Sequence, residues 1–154
     1  MFSAAVLRNP VISVGEISSS DIRDWYFSEF GIEYPLASSP RHPTETENTA
    51  TSRLPPLVSA EIYTKLLAVS PISLVDSIKI PVLLLIGSVD RRVAPSQGVD
   101  LYHALKARYV SVGGSSNRTV EMLVFDGESH PLDGVEAAQV SFEVTKKWFL
   151  QGAK

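Results

Sequence analysis

Residues 80–87 read Ile-Pro-Val-Leu-Leu-Leu-Ile-Gly, an apolar run that never alternates with polar residues. A strand that presents apolar side chains on both faces must be covered on both faces. That is the position of an inner strand in a mostly parallel sheet flanked by helices. Pro81 stands at the entrance of the run, where a missing N–H costs a sheet ladder least. The segment therefore predicts an α/β protein.

The surrounding pattern agrees. Phe2 to Leu7 predicts a short buried strand ending at Arg8-Asn9-Pro10. Ser18 to Asp21 offers caps for a helix bearing Ile22, Trp25, Tyr26 and Phe30, stopped by Gly31. Residues 35–56 carry Pro40, Pro43, Pro55 and Pro56 among Ser, Thr and Glu, and are expected to form a long mobile loop. Ser59 to Val69 predicts a helix with Ile62, Leu66 and Val69 on one face. Pro95 to Tyr109 predicts another, opened by its proline, with Val99, Tyr102, Leu105 and Tyr109 sharing a face. After a polar loop at 112–118, Thr119 to Phe125 predicts a second core strand. Gly134 to Leu150 predicts a final helix presenting Ala137, Val140, Val144 and Trp148. Strand, helix, strand, helix implies parallel strands joined by right-handed crossovers.

Composition narrows the function. With 154 residues, 44% of them apolar, the chain can bury the core of one domain. The net charge of −3 gives no basic face for nucleic acid or an anionic membrane. No cysteine is present, which excludes disulfides, thiolate metal sites and a cysteine nucleophile, and fits a reducing compartment. The apolar start is interrupted by Arg8 and Pro10, unlike a secretory signal, and Ile80 to Ile86 is far too short to span a bilayer. A cytoplasmic location is expected, with no membrane partner. His42, His103 and His130 are scattered without metal-ligand spacing.

In open parallel sheets, functional groups gather beyond the carboxyl ends of the strands. Two candidates stand there. Asp90 follows the run 82–86 in Gly87-Ser88-Val89-Asp90-Arg91-Arg92-Val93, and His130 follows 119–125 in Phe125-Asp126-Gly127-Glu128-Ser129-His130. If the two strands are neighbours, a carboxylate meets an imidazole at one sheet edge, where it would fix the tautomer and stabilise the protonated form. Acid before histidine is also the chain order of α/β-hydrolase triads. Each residue has a plainer reading. Asp90 could cap the helix at Pro95 or close a turn. His130 could be a solvated loop histidine, Arg91 and Arg92 a solvated pair, and Arg8 a surface arginine or a carboxylate's partner. His103 fits a structural place in its helix, and the aromatic residues Trp25, Tyr26, Phe27 and Phe30 fit core or a substrate channel.

Several blocks together carry a resemblance. Leu7-Arg8-Asn9-Pro10-Val11, Ser20-Asp21-Ile22-Arg23-Asp24-Trp25, Ser70-Pro71-Ile72, Ile80-Pro81-Val82-Leu83-Leu84, and Asp90-Arg91-Arg92-Val93-Ala94-Pro95 with Gln97-Gly98 resemble the prolyl oligopeptidase family of serine peptidases, in its acylaminoacyl-peptidase branch. The resemblance implies that residues 1–154 are the C-terminal part of an α/β-hydrolase catalytic domain acting on peptides with a blocked N-terminus, without cofactor or metal. It implies Asp90 as triad acid, His130 as general base, and Arg92 as a residue that helps hold the substrate. Pro131 departs from the small residue that relatives often carry after the histidine. The family's nucleophile lies in a Gly-x-Ser-x-Gly elbow upstream of the first strand, and this sequence contains no such elbow. The usual oxyanion donors and the family's β-propeller are missing as well. The expectation is a fragment, inactive alone. The competing expectation is a non-catalytic interaction module, because a sheet cut through its middle exposes an edge that a partner or a second copy could cover; a homo-oligomer is left open. A flavodoxin-like binding domain would need a Gly-rich turn after a strand, and Gly113-Gly114 precedes one.

Overall fold

The computed structural model describes residues 2–19, 59–111 and 119–152. The expected helix after Ser18, its aromatic residues, the loop 35–56 with His42, and the loop 112–118 lie outside the described residues, apart from Ser18 and Ser19. Three strands, β1 (Ala5–Arg8), β2 (Val82–Gly87) and β3 (Val120–Phe125), form one parallel sheet in the order β1-β2-β3. The register pairs Ala5 with Val82 and Arg8 with Leu85 on one side, and Val82 with Val120 and Gly87 with Phe125 on the other. The helices are α1 (Ala60–Ala68), α2 (Pro95–Ser111) and α3 (Val135–Gly152). Two 3₁₀ segments follow β1 and α1, Val14–Ser19 and Pro71–Ser77 respectively; both are too short to leave a periodic signature.

The central strand explains the two-layer cover. Every residue of β2 is buried. Val82, Leu84 and Ile86 point into one cluster with Leu101 and Leu105 of α2, joined by Ile12 and Val75. Leu83 and Leu85 point into the other with Ala4, Leu132 and Trp148 of α3. The period of two along a strand thus sends alternate side chains into two separate cores, one under each helix.

Helix ends follow from local chemistry. Ser59 caps α1 by accepting the Ile62 amide at 3.2 Å, and Leu66 is its one buried residue. Val69, expected on the apolar face, is the C-cap and is exposed, because the helix ends before it. β1 starts at Ala5 rather than Phe2, which is exposed. The innermost residues of α2 are Gln97, Leu101 and Leu105, one turn apart, while Val99, Tyr102 and Tyr109 flank them. Gln97 is buried because its Oε1 accepts the Ile12 and Ser13 amides at 2.8 and 3.0 Å. A buried backbone segment needs such a partner. The face of α3 is as expected, with Ala137 and Trp148 buried and Val140 and Val144 half-buried.

Candidate active site

β2 and β3 are parallel neighbours in register, so the loops that follow them leave the sheet side by side. They are sewn together by backbone. The Ser88 amide donates to Phe125 O at 3.0 Å and the Val89 amide to Glu128 O at 3.0 Å. The Ser88 hydroxyl accepts the Gly127 amide at 2.9 Å and sits 3.2 Å from an Asp126 carboxylate oxygen. At Gly87 the two backbones come close. A Cβ there would lie 2.6 Å from the carbonyl oxygens of both Glu128 and Ser129, so no side chain fits.

This seam brings Asp90 and His130 together. Asp90 is buried, its side chain 0% exposed, and His130 Nδ1 lies 2.8 Å from its Oδ2. The other oxygen, Oδ1, accepts the amides of Arg92 at 2.8 Å and Val93 at 3.0 Å. The turn-closing reading of Asp90 and the imidazole-pairing reading therefore both hold, one on each oxygen. A carboxylate so fixed makes Nδ1 the protonated nitrogen and turns Nε2 toward proton exchange. The imidazole keeps 35% of its side-chain surface exposed, so a reacting group can reach it. Pro131 does not prevent this geometry.

Arg92 is exposed, and its amide is part of the Asp90 turn. Arg8 is exposed, and among the described residues its partners are carbonyls rather than a carboxylate: Nη2 donates to Pro131 O at 3.0 Å and Leu132 O at 3.3 Å. His103 is exposed on α2, its ring edge-on to Tyr102 at 5.4 Å. Asn9 had no role on sequence grounds. It is buried, with Oδ1 accepting the Gly87 amide at 2.8 Å and Nδ2 donating to His130 O at 2.9 Å. Its place in the Arg-Asn-Pro block, just past the strand that neighbours β2, was the one available signal. Among the described residues no group of three or more His, Cys, Asp or Glu could hold a metal ion, and no helix is long and apolar enough to cross a membrane.

A buried carboxylate on a half-exposed imidazole, acid before histidine, at the carboxyl edge of a parallel sheet is the arrangement found in α/β-hydrolase triads. Comparison with known proteins agrees in class: residues 1–154 match the prolyl oligopeptidase family, and the chain belongs to that family. It is 35% identical over 148 residues to the acylamino-acid-releasing enzyme of Rattus norvegicus, covering 96% of this chain and 17% of that enzyme. The Homo sapiens enzyme of the same name is 33% identical with the same coverage. The Arabidopsis thaliana enzyme is 31% identical over 150 residues, covering 96% of this chain and 16% of its own. This chain thus spans about a sixth of these relatives' length. Among solved structures it superposes on an acylaminoacyl peptidase in complex with Z-Gly-Gly-Phe-chloromethyl ketone with a TM-score of 0.63 at 20% identity, covering 97% of this chain and 20% of that one. For the uncomplexed Pyrococcus horikoshii acylaminoacyl peptidase the TM-score is 0.62 at 20% identity, with 96% and 20% covered. The three parallel strands and their helices are part of an α/β-hydrolase fold.

Proposed function

We propose that this chain is the C-terminal part of a cytoplasmic serine peptidase that releases N-acylated amino acids from peptides, and that it supplies the acid and base of the triad while a separate upstream segment supplies the serine. The serine oxygen attacks the scissile carbonyl and its proton passes to His130 Nε2. The imidazolium, stabilised by Asp90, gives that proton to the leaving amine. Water then repeats the sequence in reverse to free the acyl product. Arg92, at the rim of the Asp90 turn, helps hold the substrate. The observation that carries this reading is the 2.8 Å contact between His130 Nδ1 and a fully buried Asp90 carboxylate. Identity of 33–35% to acylamino-acid-releasing enzymes supports the substrate class.

The test is cleavage of an N-acetylated peptide by a polypeptide joining this chain to an upstream Gly-x-Ser-x-Gly segment. It is expected to release the acylated residue, and Asp90→Asn to lower turnover by about 10⁴, as loss of the acid's charge does in related triads. An Asp90→Asn variant within about tenfold of the parent would remove Asp90 from the triad. The 154-residue chain by itself is expected to release nothing.

A specific observation keeps the second reading, an interaction module. Val6 and Arg8 of β1 and Ala138, Ser141, Phe142, Thr145 and Phe149 of α3 line an open groove of about 490 Å³. Phe142 and Phe149 are exposed there, and among the described residues the buried Ser141 hydroxyl has no hydrogen-bond partner.

A further inference from the structure

The His130 loop is held by its carbonyl groups, and the residues that hold it come from a strand it never pairs with. Beyond the Val89 bond to Glu128 O, three successive carbonyls, those of His130, Pro131 and Leu132, are taken by the adjacent side chains of Arg8 and Asn9 at the end of β1. Asn9 Nδ2 also lies 3.4 Å from Ser129 O. β1 borders β2, not β3, so these side chains reach across the end of the central strand.

The loop needs such a grip. Pro131 offers no N–H and restricts the backbone of His130 before it. Leu132 adopts φ of 52°, a left-handed conformation that a branched side chain occupies only when its surroundings impose it. The residue is 1% exposed and clusters with Leu83, Leu85 and Trp148, so the core fixes the far side of the loop. Asn9 is itself left-handed, at φ of 41°, which asparagine tolerates better than most residues. In that conformation one amide group grips both Gly87, at the end of the acid's strand, and His130 O. It thus ties the backbone before the acid to the backbone of the base.

We propose that Arg8 and Asn9 form a positioning clamp that sets the His130 imidazole on Asp90. This rests on the pairing of Asp90 with His130 described above. Both are positioning residues, since their hydrogen bonds to the loop go to its carbonyls and not to the imidazole.

The test is solution NMR on the 154-residue chain. A carboxylate-bound Nδ1 proton resonates far downfield and is sheltered from solvent exchange. The parent chain is expected to show that resonance, and Asp90→Asn to lose it. Asn9→Asp keeps the left-handed backbone and the acceptor for Gly87 but removes the donor to His130 O. Arg8→Met removes the donor to Pro131 O and Leu132 O while keeping the apolar stem. Each is expected to broaden or lose the Nδ1 resonance and to speed hydrogen exchange at the Glu128 and Leu132 amides by about tenfold or more, with exchange in β2 unchanged. A resonance and loop exchange equal to the parent's in both variants would overturn the clamp while leaving the pair intact. A parent without an Asp90-dependent resonance would overturn the pair itself. If Asn9→Asp fails to fold, Arg8→Met, altered at an exposed position, decides by the same two readouts.

Discussion

The two oxygens of Asp90 have separable duties. Oδ1 satisfies two amides of its own turn, and Oδ2 holds His130. An amide in place of the carboxylate keeps an acceptor for the turn but puts an NH2 donor where Oδ2 holds His130. Asp90→Asn is therefore expected to unfold within about 1 kcal/mol of the parent in urea, whereas Asp90→Ala strands the Arg92 and Val93 amides and costs about 1–3 kcal/mol. Equal losses in both variants would show that the turn does not depend on that acceptor. Asp90 and His130 were legible as candidates because each follows a predicted strand by a few residues. Asn9 and Gln97 were not assigned roles. Both are polar residues buried to satisfy backbone from distant segments; the motif blocks that contain them mark their positions, but no periodicity reveals the duty.

Among the elements, β2 was the most legible, since a short unbroken apolar run bounded by Pro81 and Gly87 fits an inner strand, and its alternate residues feed two cores. Helix faces were legible only where apolar residues define them. On α3 they do, but on α2 the innermost line runs through Gln97, so the apolar pattern pointed slightly to one side. The carboxyl end of β2 is tightly packed against the His130 loop. Gly87→Ala would drive a methyl group against the Glu128 and Ser129 carbonyls, both part of packed backbone. Overpacking of this kind costs about 1–3 kcal/mol, and here it also pushes the base away from the acid. Urea unfolding of Gly87→Ala checks the first effect; parent-like stability would mean that the His130 loop yields easily.

At the scale of the whole molecule, three described strands make a sheet whose β1 edge lies beside an open apolar groove. The exposed aromatic residues of α3 extend that surface. Surfaces of this kind associate. Sedimentation velocity of the isolated chain is expected to depend on concentration, and Phe142→Glu to weaken the dependence; a monomer at every concentration would contradict this. The family was legible from motif blocks spread along the chain, and the comparisons agree with it over residues 1–154. The architecture beyond this sixth of the relatives' length leaves no trace in these residues.

On the function proposed above, Asp90 and His130 are an acid and a base whose nucleophile lies on another segment. Treatment of the folded 154-residue chain with a fluorophosphonate probe, which labels activated serines, tests it most directly, with circular dichroism confirming the fold. A folded chain that does not label is expected. Labelling that disappears in His130→Ala would mean that a serine within these residues is activated by His130, and would contradict it.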